Sequence, residues 1–212
     1  SFIHTSCRFN VSRIAFLSLM LAAVAGCASL VAPKVASEPA ALKAGAYALD
    51  QKHASLLFKV NHLGYSTYVG RFEKFEAKLD FDAANVSAAH VEATIEIASL
   101  DVANDEFAET LTGPSWFDAA AYPQAVFRST LIEKTGETTG RMTGDLTLHG
   151  VTAPVTLDVV FNGGAQDLLR GGYVVGFSAK GSFSRKAFGV DRFSGLVGDD
   201  VGIEIEAEFV KR

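Results

Sequence analysis

With 212 residues, 49% of them hydrophobic and 16 of them Phe, the chain has material for one well-filled domain and a tail. Its net charge of -5 and the want of any basic cluster argue against nucleic acid, whose phosphates require a concentrated cationic face. Two Cys are too few for a disulfide framework, and the five His show no close grouping with Cys or Asp of the kind that holds a metal.

Arg8 and Arg13 precede an apolar run from Ile14 to Ala25, and no acidic residue occurs before Glu38. A positive start, about a dozen apolar residues and small residues at the end predict a secretory signal rather than a membrane-spanning helix. The run closes as Leu21-Ala22-Ala23-Val24-Ala25-Gly26-Cys27. Small residues directly before a Cys resemble the lipobox of bacterial lipoproteins, although Val24 stands where Leu is commonest. That resemblance implies a lipoprotein signal peptide of residues 1–26, cleavage before Cys27 and diacylglycerol on its thiol. An ordinary signal with an incidental Cys is the alternative. Two or three acyl chains anchor stably, since each buried methylene contributes about 0.8 kcal/mol. Ala28 rather than Asp follows the Cys, which by resemblance to lipoprotein sorting implies the cell envelope, on the periplasmic side of the outer membrane. Residues 27–45 are rich in Ala, carry Pro33 and Pro39 and show no period, so they read as a tether to a domain spanning 46–212.

Within that domain the period is two. Tyr47 to Asp50 opens a short strand, and Leu56, Phe58, Val60 and His62 alternate with Leu57, Lys59 and Asn61 in a second. Phe75, Ala77, Leu79 and Phe81 alternate with charged residues in the next, and Phe72 is out of phase with them. One extra residue near Glu73 corrects the phase, which predicts a bulge or sharp bend there. Val91, Ala93, Ile95 and Ile97 continue the pattern. The spacing then changes: Phe107 and Leu111 share a helical face, Asn104 or Asp105 suits the N-cap, and Gly113-Pro114 stops the helix.

Strands resume at Ala125, Phe127, Ser129 and Leu131. Met142, Gly144, Leu146 and Leu148 then alternate with polar residues, as do Val155, Leu157, Val159 and Phe161. The link from His149 to Pro154 makes the two a β-hairpin, with Pro154 placed at the second strand's start. Tyr173, Val175, Phe177, Ala179, Gly181 and Phe183 form another strand, and Val201, Ile203, Ile205, Ala207 and Phe209 the last. About eight strands with one helical excursion and no crossover helices predict an all-β antiparallel domain, for which a sandwich and a closed barrel both fit. The long strands, the out-of-phase Phe72 and the Gly residues within strands favour an eight-stranded β-barrel.

Four stretches carry a resemblance to a known family: YALDQKHASLLFKVNHLGYSTYVGRFEKFEAKLDFD, WFDAAAYPQAVFRST, TGDLTLHGVTAPVTLDVVFNG and GFSAKGSFSRKAFGV. In this order, over about residues 47 to 210, they closely resemble the YceI-like polyisoprenoid-binding family. The resemblance implies an extended lipocalin-like barrel whose apolar cavity holds a long isoprenoid lipid, such as a polyprenyl quinone or polyprenyl phosphate, and implies a binder without cofactor or metal rather than an enzyme. Where many relatives have Asp-x-His-Leu in the helical excursion, this chain reads Ala108-Glu109-Thr110-Leu111, which puts the head-group preference in question.

An uncharged chain needs a long, dry slot lined by Phe and aliphatic side chains. Candidates from the first strands are Phe58, Val60, Phe75, Leu79 and Phe81, followed by Ile95, Ile97, Phe107, Phe117 and Phe127. The later strands add Leu146, Leu148, Leu157, Val159, Val175, Phe177, Ile203 and Ile205. Filling a core is the competing role for each. His53 and His62 flank one strand and are candidates to meet a polar head at the barrel mouth, with a turn-stabilising role as the alternative. Arg185, followed by Lys186, is a candidate for a phosphate or quinone oxygen, and a surface pair is the alternative. Asp199-Asp200 reads as a solvated turn, and His149 as a structural hydrogen-bonding residue at the hairpin. An enzyme acting on an amphipathic lipid would need at least two such polar groups converging inside the cavity.

Overall fold

The computed structural model describes residues 32–212. The expected signal peptide and Cys27 lie outside the described residues. The strands in chain order begin with β1 (Gly45–Leu49), β2 (Ser55–His62), β3 (Ser66–Phe72), β4 (Phe75–Phe81) and β5 (His90–Glu96). They continue with β6 (Leu100–Asp101), β7 (Gln124–Lys134), β8 (Thr139–Leu148), β9 (Val151–Asp167), β10 (Gly172–Ser184) and β11 (Val197–Lys211). The helical excursion is α1 (Asp105–Thr112), with Asn104 as N-cap accepting from the Phe107 N–H at 2.9 Å.

All pairings among named strands are antiparallel, and eight strands close a barrel in the order β1-β4-β5-β7-β8-β9-β10-β11 and back to β1. The seam is short. Tyr47 to Leu49 pair with Lys211 to Phe209, and then β2 takes over the same edge of β11 from Ser55 opposite Glu206. β3 and β6 extend the sheet outward from β2. The phase change at Phe72 is a corner rather than a bulge. Glu73 and Lys74 separate β3, paired with β2, from β4, paired with β1 and β5.

The hairpin link is shorter than the sequence suggests. Only His149 and Gly150 turn the chain, both at positive φ (52° and 76°), as a two-residue turn between twisted strands requires. Pro154 lies inside β9 opposite Asp145; β10 pairs with β9 only from Leu157 onward, so no ladder donor is needed at Pro154.

The tether also differs from expectation, because its second half is attached to the barrel. Ala36 exchanges two backbone hydrogen bonds with Gly164 of β9, at 3.0 and 2.8 Å, and the Tyr173 hydroxyl donates to Ala41 O at 3.1 Å. Ala-rich composition shows no period because this pairing uses backbone atoms and few large side chains, chiefly Leu42 with Val35 over Gly163.

At the seam, the β9–β10 turn folds back across the outer face. Arg170 pairs with Asp167 at 2.7 Å, Asp50 at 3.1 Å and Glu208 at 2.6 Å, and His53 Nδ1 lies 2.7 Å from Asp50. The His53 ring first, and then Arg170, holds the Asp50 carboxyl below the usual carboxylate range; Arg170 does the same for Asp167. Folded-state values below the unfolded ones give stabilisation that is complete above the unfolded range and lost as pH falls through the folded values. Arg170→Ala is therefore expected to lower the melting temperature at neutral pH, with the gap to wild type shrinking below about pH 4. A gap that stayed constant down to about pH 2 would rule out these ion pairs as its source.

Candidate functional site

Inward-facing positions of the barrel strands enclose an elongated cavity of about 750 Å³. Its walls hold many small residues: Ala77, Ala93, Ala125, Ala179 and Ala207 all line it. Alanine at such positions leaves the space that Leu or Phe would fill in a solid core. Towards one end the wall is aromatic, with Phe81, Phe161 and Phe177 mutually 5.2–5.8 Å apart between ring centroids. Near the other, Phe72 sits 5.9 Å from Phe58 and 6.1 Å from Phe117.

Of the apolar candidates, all except Val175 line this cavity. Val175 faces inward on β10 but lies beyond the cavity's end. It is fully buried in a cluster with Tyr47, Tyr173 and the cavity-lining Leu79 and Phe209, against which Leu42 packs. Alternation reports the face of a strand and not where along the barrel the hollow stops. The cavity also takes in Leu42, Phe72, Trp116 and Phe161. Phe161 continues the inward column of Leu157 and Val159 and was legible; Leu42 and Trp116 lie outside strands and carried no periodic signal.

The ends differ in chemistry. At the β2–β3 end the lining includes Asn61, His62, Tyr68, Trp116 and Arg185, and at the opposite end Ser37, Lys134, Glu137 and Thr138. His53 does not reach either. It lies in a short 3-10 turn between β1 and β2, outside the barrel, where Asp50 caps the turn and holds the ring. β2 separates His53 from His62, so the two cannot converge on one head group. Thr110, at the position of the relatives' His, donates to Glu106 O on its own helix at 3.0 Å and is absent from the lining.

Arg185 is not a surface cation. It is 5% exposed and donates to Gly198 O at 2.9 Å, Val190 O at 2.7 Å, Arg192 O at 3.0 Å and Val197 O at 3.1 Å. Its guanidinium also lies 5.9 Å from the Trp116 ring centre. The side chain closes the loop 190–198 upon itself by donating to four of its carbonyls, that of Val190 within the buried interior. Neighbouring Asp199 is no solvated turn residue. It lies in β11 and accepts from Ser184 Oγ at 2.7 Å and from Lys186 N at 3.1 Å, and the Ser184 bond chiefly holds its carboxyl below the usual range. His149 is structural as expected, with Nδ1 3.2 Å from Phe188 O.

The chain is similar to known proteins. Residues 47–209 match the YceI-like domain. A UPF0312 protein of Shewanella denitrificans is 39% identical over 176 residues, covering 82% of this chain and 92% of that one. The crystal structure of Burkholderia cenocepacia BcnA superposes with a TM-score of 0.69 at 27% identity, over 76% of this chain and 98% of that one. A polyisoprenoid binding domain from Saccharophagus degradans shares the fold, with a TM-score of 0.58 at 14% identity over 78% and 98% of the two chains. A matched domain that runs from the first barrel strand to the last, with a close relative along most of its length, settles the assignment: the chain belongs to the YceI-like family.

Proposed function

We propose that the barrel binds one long isoprenoid lipid, a polyprenyl quinone or polyprenyl phosphate, and carries it in the bacterial cell envelope without transforming it. The observation that carries this is the cavity: elongated, walled by Phe, aliphatic and Ala side chains, with polar groups confined to its ends. At about 0.8 kcal/mol per buried methylene, such a wall holds a hydrocarbon tail with few polar contacts. Taking about 30 Å³ per heavy atom, the share of a water molecule in the liquid, about 750 Å³ accommodates roughly 25 atoms, or about five isoprene units. The resemblance in fold to a polyisoprenoid binding domain supports the same reading.

The head group belongs at the β2–β3 end. There the exposed His62 lines the cavity mouth beside Asn61 and Tyr68, and the buried charge of Arg185 favours a carbonyl or phosphate oxygen through a low-dielectric interior. Arg185 contributes that field while its hydrogen bonds serve the loop. Because His53 lies outside and Arg185 is committed to carbonyls, the side chains that an acid–base mechanism would recruit do not meet. Anchoring through an acylated Cys27 keeps the carrier at the outer membrane, where its cargo dissolves.

Gentle extraction followed by native mass spectrometry should show an isoprenoid-sized adduct; a protein that emerges empty and refuses added polyprenyl quinone would refute the reading. Ala93→Phe, which adds a ring in the hollow, is expected to weaken polyprenyl binding about tenfold or more while leaving the melting temperature near that of wild type. Arg185→Ala is expected to destabilise the fold by about 2–5 kcal/mol in urea unfolding, because it leaves buried carbonyls without donors. Cys27→Ser should move the protein from the membrane fraction to the soluble one.

A further inference from the structure

The segment before β1 does more than join the domain to its amino terminus. Residues 36–43 run across the end of the barrel opposite Arg185, and Ser37, Pro39 and Leu42 form part of the cavity lining. Around them stand the β4–β5 connection, through Ala83, Val86 and Ala89, and the β7–β8 turn.

Several independent features hold the segment in that place. Ala36 forms a two-way backbone bridge with Gly164, on the stretch of β9 that extends past its pairing with β8. Two buried phenols point at it from inside: Tyr173 donates to Ala41 O, and Tyr47 donates to Lys43 O. Burial pushes the Tyr47 phenol up to about 12 and raises that of Tyr173, so both remain protonated donors. Lys43 Nζ reaches Gln166 Oε1 at 3.1 Å.

The barrel surface beneath is shaped to receive it. Gly163, at φ +116°, has Val35 lying where a side chain would project. A Cβ at Gly164 would stand 3.0 Å from Leu42 Cδ2 and 3.0 Å from the Tyr173 hydroxyl. Leu42 thus rests on bare backbone and covers the inward column of β10 at Tyr173 and Val175. Leu42 belongs both to the cavity lining and to this cluster, and its side chain closes the hollow at this end.

We propose that this strap is the removable end wall of the cavity and sets the length of isoprenoid chain that the barrel encloses. The inference rests on the isoprenoid function proposed above. It adds a specificity element that precedes the matched domain, which begins at Tyr47. A chain within the hollow's capacity is fully covered. A longer one stops at Leu42, and its surplus stays in water or emerges at the β2–β3 mouth.

The test compares two prenols, one of about four isoprene units and one of about eight, titrated into wild type, Leu42→Ala and Gly164→Ala, with affinity read by native mass spectrometry. Leu42→Ala removes the cap, and Gly164→Ala lifts it from below by an unrelated route. Both variants are expected to raise the long-to-short affinity ratio about tenfold over wild type, since the space that the Leu42 side chain gives up covers about two or three more methylenes of the longer chain. An unchanged ratio in both variants, with the short prenol still bound, would overturn the strap's role alone. Wild type that takes up neither prenol would overturn it together with the proposed function.

Discussion

Barrel closure depends on β11. This 15-residue strand pairs with β10 along one edge, and its other edge is shared between β1 and β2. The direct β1–β11 seam is only Tyr47 to Leu49, too short to close a cylinder by backbone bonding alone. Two reinforcements flank it. Inside, Tyr47, Leu79, Val175 and Phe209 pack into one buried cluster, a plug at this end of the barrel. Outside, Arg170 draws Asp50, Asp167 and Glu208 together across the joint where β1 gives way to β2. The plug supplies burial and the ion pairs fix the register at which the sheet meets itself.

A closed sheet does not by itself make a container, since eight strands enclose a space that their own side chains can fill. What keeps this one hollow is residue size on the inward face. Phe75, Phe127 and Leu157 alternate around the wall with Ala77, Ala93, Ala125 and Ala179, so the large residues form the lining and the small ones leave the lumen. Unfilled volume of this kind forfeits dispersion contacts, a standing cost to the fold. An apolar ligand restores those contacts, so occupancy and stability are linked by mass action.

The inward residues were readable because a strand's period of two sorts side chains by face whatever the strand's neighbours are. Phe58, Leu79, Ile95 and Ile203 therefore fell on the cavity wall as expected. Two things were not readable. Val175 obeys the alternation yet lies past the hollow, since face is local and cavity length is a property of the whole assembly. Arg185 read as a candidate for a head-group oxygen or as half of a surface pair; the carbonyls that bury it belong to a loop whose path leaves no periodic trace. His53, by contrast, sits three residues after Asp50 in a capped turn, the turn-stabilising role that its sequence position had left open beside the head-group one.

The distribution of bonding around the barrel decides where a lipid can pass. Parting β10 from β11 would break a ladder running from Val174–Val210 to Ser184–Asp200, and every other barrel strand is likewise held on both sides. The β2–β3 end is stiffened by the loop that Arg185 ties through four carbonyls. The strap has two backbone bonds to Gly164, two phenol bonds, one lysine–glutamine contact and the half-buried Leu42. Net worth is about 0.5–1.5 kcal/mol for each such bond, less where water stands ready to replace the lost partner, and most of the strap is exposed. Local opening follows the smallest free-energy gap, which puts the strap rather than the wall at the low end of this barrel's stability. If the amino-terminal chain is tied to a membrane, the element most easily displaced is also the one to which that membrane is joined.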